Sequence, residues 1–115
     1  MPLDITARQE GKVRVLELSG RLEIGDPADK LDKMLQESLA EGHLALLLDC
    51  NQVSFIDSRG MQVLVRAVVS AKTRGARMKL LNPSGRVLQA LTITRLLTVI
   101  ESFDNQATAL ESFDA

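Results

Sequence analysis

Residues 44–71 read LALLLDCNQVSFIDSRGMQVLVRAVVSA, and the fold turns on how this stretch divides. Leu44, Ala45, Leu46, Leu47 and Leu48 are apolar without alternation, the pattern of a strand covered on both faces, as in a parallel sheet between helices. Asp49, Cys50, Asn51 and Gln52 are expected to end it. Val53, Phe55 and Ile56 then pin a loop onto the core. Asp57 or Ser58 caps a helix that carries Met61, Leu64, Val65, Val68 and Lys72 at helical spacing and ends near Gly75. The opposite side of that helix presents Arg59, Gln62, Val63, Arg66 and Ser70. Ser58 therefore stands at the positive end of a helix, beside a mixed polar and apolar strip.

Upstream, Leu3, Ile5 and Ala7 alternate with polar neighbours, Glu10-Gly11-Lys12 makes a turn, and Val13, Val15, Leu16 and Leu18 resume, which reads as a hairpin. The second strand ends at Ser19-Gly20, and Arg21 to Gly25 is a connection. Asp26-Pro27 has the cap-then-proline form of a helix start, followed by Ala28, Leu31, Met34, Leu35 and Leu39 on one face, with Gly42 closing the helix. Downstream, Met78 to Leu81 is a short strand. Asn82-Pro83-Ser84-Gly85 is a turn whose Ser84 caps a helix with Val87, Leu88, Leu91 and Ile93. Leu97 to Ile100 reads as a last strand, and Asp104 or Asn105 caps a terminal helix with Ala107, Leu110 and Glu111. The order β-β-α-β-α-β-α-β-α predicts a single α/β domain over residues 1–115. Its sheet is mixed but mostly parallel, of about five strands with about four helices. In such sheets the loops beyond the carboxyl ends of the strands carry function, and Ser58 follows such an end.

Composition narrows the function classes. A 115-residue chain with 45% hydrophobic and 25% charged residues has the material for one real core. Its net charge of −1 and 3% aromatic content supply neither the field nor the stacking rings for nucleic acid or an anionic membrane. The lone Cys50 sits at the end of a buried strand and reads as a small core residue rather than a reactive thiol. With no apolar run near the roughly 20 residues of a membrane span, and no apolar stretch in MPLDITARQEGK, a cytoplasmic, reducing location is expected.

Catalysis finds little support. A serine between strand and helix invites the nucleophile elbow, but that motif requires G-x-S-x-G and a histidine, whereas here the residues are I-D-S-R-G. The single His43 precedes the strand that Ser58 follows, and six strand residues already span about 20 Å. One His and one Cys do not make a metal site. Phosphate-loop and dinucleotide motifs are missing. A receiver-type reading of Asp49 and Asp57 fails because Arg8 and Gln9 follow the first strand, where an acidic pair is needed, and Glu101 follows the last, where a lysine is needed. What remains is Ser58 as an acceptor of phosphate from a separate kinase. Roughly −1.5 to −2 charges at a helix N-terminus leave the fold intact while changing a docking surface.

Ser19-Gly20-Arg21-Leu22, LLLDCNQVSFIDSRGMQVL (46–64) and LLNPSGRVLQAL (80–91) together resemble the STAS domain, and specifically the stand-alone bacterial anti-sigma factor antagonists. The resemblance covers about Ile5 to Phe113, and its most specific element is D-S-x-G after V-x-F-I-D. Where the family often continues D-S-x-G-L-G, this chain has Met61-Gln62. Glu23 stands for the usual aspartate after G-x-L, and Thr94-Arg95-Leu96 replaces a common glycine-leucine. The resemblance implies a non-enzymatic partner-switching regulator without a cofactor. Unphosphorylated, such a protein binds an anti-sigma factor that is also a serine kinase; phosphorylated, it lets go, and a PP2C-type phosphatase restores it. The phosphorylated serine carries over to Ser58 and the preceding acid to Asp57. The implied partner surface comprises the Gly20 to Gly25 loop, the Asp57 to Gly60 turn and the exposed side of the following helix, with Gly20, Arg21, Leu22, Glu23, Asp57, Ser58, Arg59, Gly60, Gln62, Val63 and Arg66 singled out. The other setting in which STAS domains occur is as a constitutive subunit or scaffold of a transporter or lipid-trafficking complex.

Overall fold

The unbroken apolar run has two destinations. In a computed structural model, which describes residues 2–114, Leu46 and Leu48 enter a core shared with Leu16, Leu18 and Leu80, while Ala45 and Leu47 enter a second one with Val13, Val15 and Leu81. A strand with apolar residues on both faces is what helices on both sides require. The chain runs β1 (Asp4–Glu10), β2 (Val13–Leu22), α1 (Asp26–Ala40), β3 (Ala45–Ile56), α2 (Ser58–Thr73), β4 (Arg77–Leu81), α3 (Gly85–Ile93), β5 (Ser102–Phe103) and α4 (Gln106–Glu111). The five strands lie in the order β1-β2-β3-β4-β5; β1 pairs antiparallel with β2 and every other neighbour is parallel. The expected mixed, mostly parallel α/β sheet with four helices is the observed one.

The larger core holds the buried faces of α1, α2 and α3: Leu31, Leu35 and Leu39, then Val63, Leu64 and Ala67, then Val87 and Leu91. The smaller one is roofed by Ala109 of α4 and by Phe113. Lys79 on β4 is only 3% exposed, and its ammonium donates to the carbonyl (3.1 Å) and hydroxyl (2.9 Å) oxygens of Ser112 while lying 4.7 Å from the Phe113 ring centroid. A buried cation thus fastens the turn at Ser112, and the Glu101 carboxylate, 3.4 Å from the ammonium, balances its charge.

Several expectations need correction. Leu44 lies outside β3 and is 60% exposed. Asn51 and Gln52 do not end β3, which continues to Ile56 because β2 accompanies it: Ser19 pairs with Gln52, Gly20 with Val53, Arg21 with Phe55 and Leu22 with Ile56, across two register shifts. Beyond Asp49 only one face is covered, so Cys50, Val53 and Ile56 stay buried while Asn51 and Gln52 meet solvent. β2 accordingly runs past Ser19-Gly20 to Leu22. On α2 the buried stripe is Gly60, Val63, Leu64, Ala67 and Ala71, with Lys72 exposed and Val63 at 0% exposure. The small residues Gly60, Ala67 and Ala71 on one face let this helix come close to its neighbours, which turns Val63 inward and Val69 outward.

The segment Leu97 to Ile100 is not a strand. Leu96–Thr98 forms a 3₁₀ turn from which Leu96, Leu97 and the buried Ile100 reach the main core, and β5 follows at Ser102–Phe103. Leu88 and Ile93 of α3 are exposed. The N-cap of α1 is Gly25, with Pro27 in the first turn, and Asn105 caps α4 by accepting from Thr108 N at 3.0 Å. Cys50 is buried as expected; burial, with a smaller push from the Asp49 charge, raises its thiol to about 12, so it stays protonated.

The strand boundary is open to test. Leu47→Ala, which empties a site between β2, β4 and α4, should cost roughly 2–5 kcal/mol in urea unfolding. Leu44→Ala should stay within about 0.5 kcal/mol.

Candidate functional site

The parallel β2–β3 ladder brings Leu22 opposite Ile56, so both strands deliver their following loops to the same edge of the sheet. Asp57 joins the two loops. Its Oδ1 accepts from Gly60 N at 2.9 Å, which makes it the N-cap of α2, and its Oδ2 accepts from Ile24 N at 2.8 Å in the β2–α1 loop. Its own amide donates to Leu22 O at 3.3 Å. Partial burial pushes this carboxyl up, but the N–H groups of Gly60, Ile24, Arg59 and Asp57 itself outweigh that and hold it below its ordinary value. Of the two capping candidates, then, Asp57 is the cap.

Gly60 is required by space. A Cβ there would lie 2.5 Å from Leu22 O and 2.8 Å from Leu22 Cγ, so the start of α2 sits directly on the end of β2. Gly20 has a φ of +124°, and a Cβ on it would run into the carbonyl oxygen of Pro2. These two glycines shape the edge from below.

Relieved of capping, Ser58 is the first residue of α2 and is exposed, and among the described residues no group is hydrogen-bonded to its hydroxyl. It lines a shallow depression with Arg59, Gln62 and Ile24, the last 73% exposed. Arg59 reaches back to α1, where one guanidinium nitrogen pairs with Asp29 at 3.1 Å, and another donates to Gln62 Oε1 at 3.4 Å. Further along α2, Arg66 pairs with Asp32 at 2.6 Å. On the β2 side, Arg21 pairs with Glu23 at 3.0 Å and stacks over the Phe55 ring, 4.1 Å from its centroid.

The structure therefore brings Arg21, Glu23, Asp57, Ser58, Arg59, Gln62 and Arg66 along one edge. Three expected surface residues lie beneath it instead: Leu22 is 2% exposed, Val63 is fully buried and Gly60 is enclosed by Leu22 and Ile56. They shape the surface without forming it. Ile24 falls within the expected Gly20 to Gly25 loop, whereas Asp29 and Asp32 escape sequence reasoning as site residues. The two acids join through cross-helix pairs that only tertiary packing creates. His43 and Ser58 flank opposite ends of the 12-residue β3, which removes a serine–histidine pair. Among the described residues no cluster of metal-ligating side chains occurs, and no helix is long and apolar enough to cross a membrane.

The STAS domain family model matches residues 4–109 of this chain. The chain belongs to the STAS family. A Thermotoga neapolitana protein, provisionally named an anti-sigma factor antagonist, is 32% identical over 78 residues, covering 68% of this STAS chain and 69% of its own length. The crystal structure of a Thermotoga maritima protein, also provisionally named an anti-sigma factor antagonist, superposes with a TM-score of 0.90 at 23% identity, covering 96% of this chain and 95% of the other. The phosphorylated form of the Bacillus cell fate determinant SpoIIAA superposes with a TM-score of 0.74 at 16% identity, covering 96% and 99%. At these identities the two structures speak for the fold.

Two variants test the packing of this STAS site. Gly60→Ala should destabilise by roughly 1–3 kcal/mol, the cost of forcing atoms into an occupied space, seen as a lower urea midpoint with unchanged slope. Asp57→Ala should cost about 1 kcal/mol at neutral pH. Because the folded-state value of Asp57 is lowered, its contribution is present above the ordinary aspartate range and is lost as pH falls through the folded value. The gap between wild type and Asp57→Ala should therefore narrow on acidification.

Proposed function

We propose that this STAS protein is an anti-sigma factor antagonist, a non-enzymatic cytoplasmic regulator that changes partner according to the phosphorylation of Ser58. The observation that carries the reading is the division of labour at the start of α2: Asp57 does the capping, which leaves Ser58 with an exposed, unbonded hydroxyl beside the exposed Ile24. A serine needed for structure would be a poor switch, since modifying it would cost the helix its cap. This one is dispensable to the fold and sits where the helix dipole favours negative charge.

In its unmodified form the edge formed by Arg21, Glu23, Ile24, Ser58, Arg59 and Gln62 docks on an anti-sigma factor that is itself a serine kinase. An apolar anchor ringed by polar groups suits such a contact. The kinase transfers the γ-phosphoryl group of ATP to Ser58 Oγ, the hydroxyl proton leaves and ADP departs. The new charge beside Ile24 desolvates poorly and the complex dissociates. A PP2C-type phosphatase hydrolyses the ester, returning serine and inorganic phosphate. The anti-sigma factor antagonist name of the Thermotoga neapolitana relative, and the existence of a phosphorylated form of the like-folded SpoIIAA, favour this over a constitutive transporter or scaffold subunit.

Incubation with ATP and an anti-sigma kinase from the same genome, followed by mass spectrometry, should show a single phosphate that Ser58→Ala abolishes. Phosphate absent from wild type, or undiminished in Ser58→Ala, rejects the switch and leaves the constitutive subunit. Ser58→Asp should weaken kinase binding while changing stability by less than about 1 kcal/mol, since the cap is Asp57.

A further inference from the structure

Two ion pairs tie α2 to α1, and they differ in how firmly they are held. Arg66–Asp32 is short, at 2.6 Å, and the Asp32 side chain is only 14% exposed. Arg59–Asp29 is longer, at 3.1 Å, and Asp29 is 67% exposed. The weaker pair is the one whose arginine lines the same depression as the Ser58 hydroxyl. Resting on the phosphorylation of Ser58 proposed above, we infer that Arg59 is the counter-ion of the modified site and that it leaves Asp29 to serve there.

With Asp29 exposed the pair contributes little, although Arg59 itself is only 28% exposed, because solvent screens the carboxylate and the arginine must be ordered to meet it. A phosphoserine carries up to twice the charge of Asp29 and offers oxygens that a guanidinium contacts in bidentate fashion. The competing cations are occupied: Arg21 with Glu23 and the Phe55 ring, Arg66 with the better-buried Asp32. Asp57, the nearest acid, has both oxygens turned to the amides of Gly60 and Ile24 and does not compete for Arg59.

The exchange relocates charge. Phosphorylation alone would concentrate the added negative charge at the start of α2. With Arg59 drawn to the phosphate, about one unit stays at Ser58 and about one appears on α1 as the bared Asp29 carboxylate. The surface that tells the two forms apart then includes the first turns of α1, where Asp29 lies. Arg59 is a positioning residue for the switch, and Asp29 is the group it uncovers.

Phosphoserine installed at position 58 during translation separates this inference from the kinase question, and phosphorus NMR reads the second ionisation of the phosphate, ordinarily near 6. Arg59→Gln should raise that value by roughly half a pH unit, the size of one exposed charge pair, and Arg59→Lys should recover part of the difference. Asp29→Asn should lower it more with Arg59 present than in the Arg59→Gln background, because only with Arg59 does it release a competitor. Wild type and Arg59→Gln titrating alike, or Asp29→Asn acting equally in both backgrounds, overturns the exchange. Failure of a kinase to label Ser58 would instead count against the functional reading above.

Discussion

The parallel ladder between β2 and β3 runs from Arg14 opposite Leu46 to Leu22 opposite Ile56, and the position of everything at the functional edge follows from its length. Had β3 stopped at Asp49, the Asp57 turn would have hung from a loop. Because the ladder continues, Leu22 and Ile56 end side by side, and the two chains leave the sheet within hydrogen-bonding reach. The Asp57 carboxylate then needs no adjustment to accept from Ile24 and Gly60 together. Rigid strands thus position a short turn, which is a more exact support than a loop alone provides.

That arrangement separates structural duty from the proposed signalling duty among adjacent residues. Asp57 binds loops together, Gly60 permits α2 to rest on β2, and Ser58 between them has no structural partner among the described residues. In the proposed switch, placing the hydroxyl next to a cap, rather than making it the cap, lets the site gain and lose charge without passing the consequence to the core. The cross-helix pairs of Arg59 and Arg66 give the same edge an electrostatic link to α1.

Much of this was legible in the chain. The strand-like run LALLL, the capping residues before α2 and the alternation of the N-terminal hairpin led to the sheet and its helices because each is a local signal: periodicity, side-chain capping chemistry, turn residues. The errors share a cause. Asn51 and Gln52 look like strand terminators when their neighbours are unknown, yet a partner strand carries the ladder past them, Ser19 pairing with Gln52 across a register shift. Val63 and Lys72 exchange the faces expected of them because Gly60, Ala67 and Ala71 set the helix's closest approach, and small residues carry little weight in an apolar tally. Leu97 to Ile100 is apolar enough for a strand but serves the core from a tight turn.

By itself the sequence determined the α/β class, the order of elements, the inert buried Cys50, the separation of His43 from Ser58 and the placing of Ser58 at the start of α2. All of these depend on residues near one another in the chain. Only the tertiary structure decided which of Asp57 and Ser58 caps the helix, that Leu22, Gly60 and Val63 lie beneath the surface they shape, and that Asp29 and Asp32 face Arg59 and Arg66. The last of these depends on distances between residues about thirty positions apart, which the packing of α1 and α2 sets and no local pattern records.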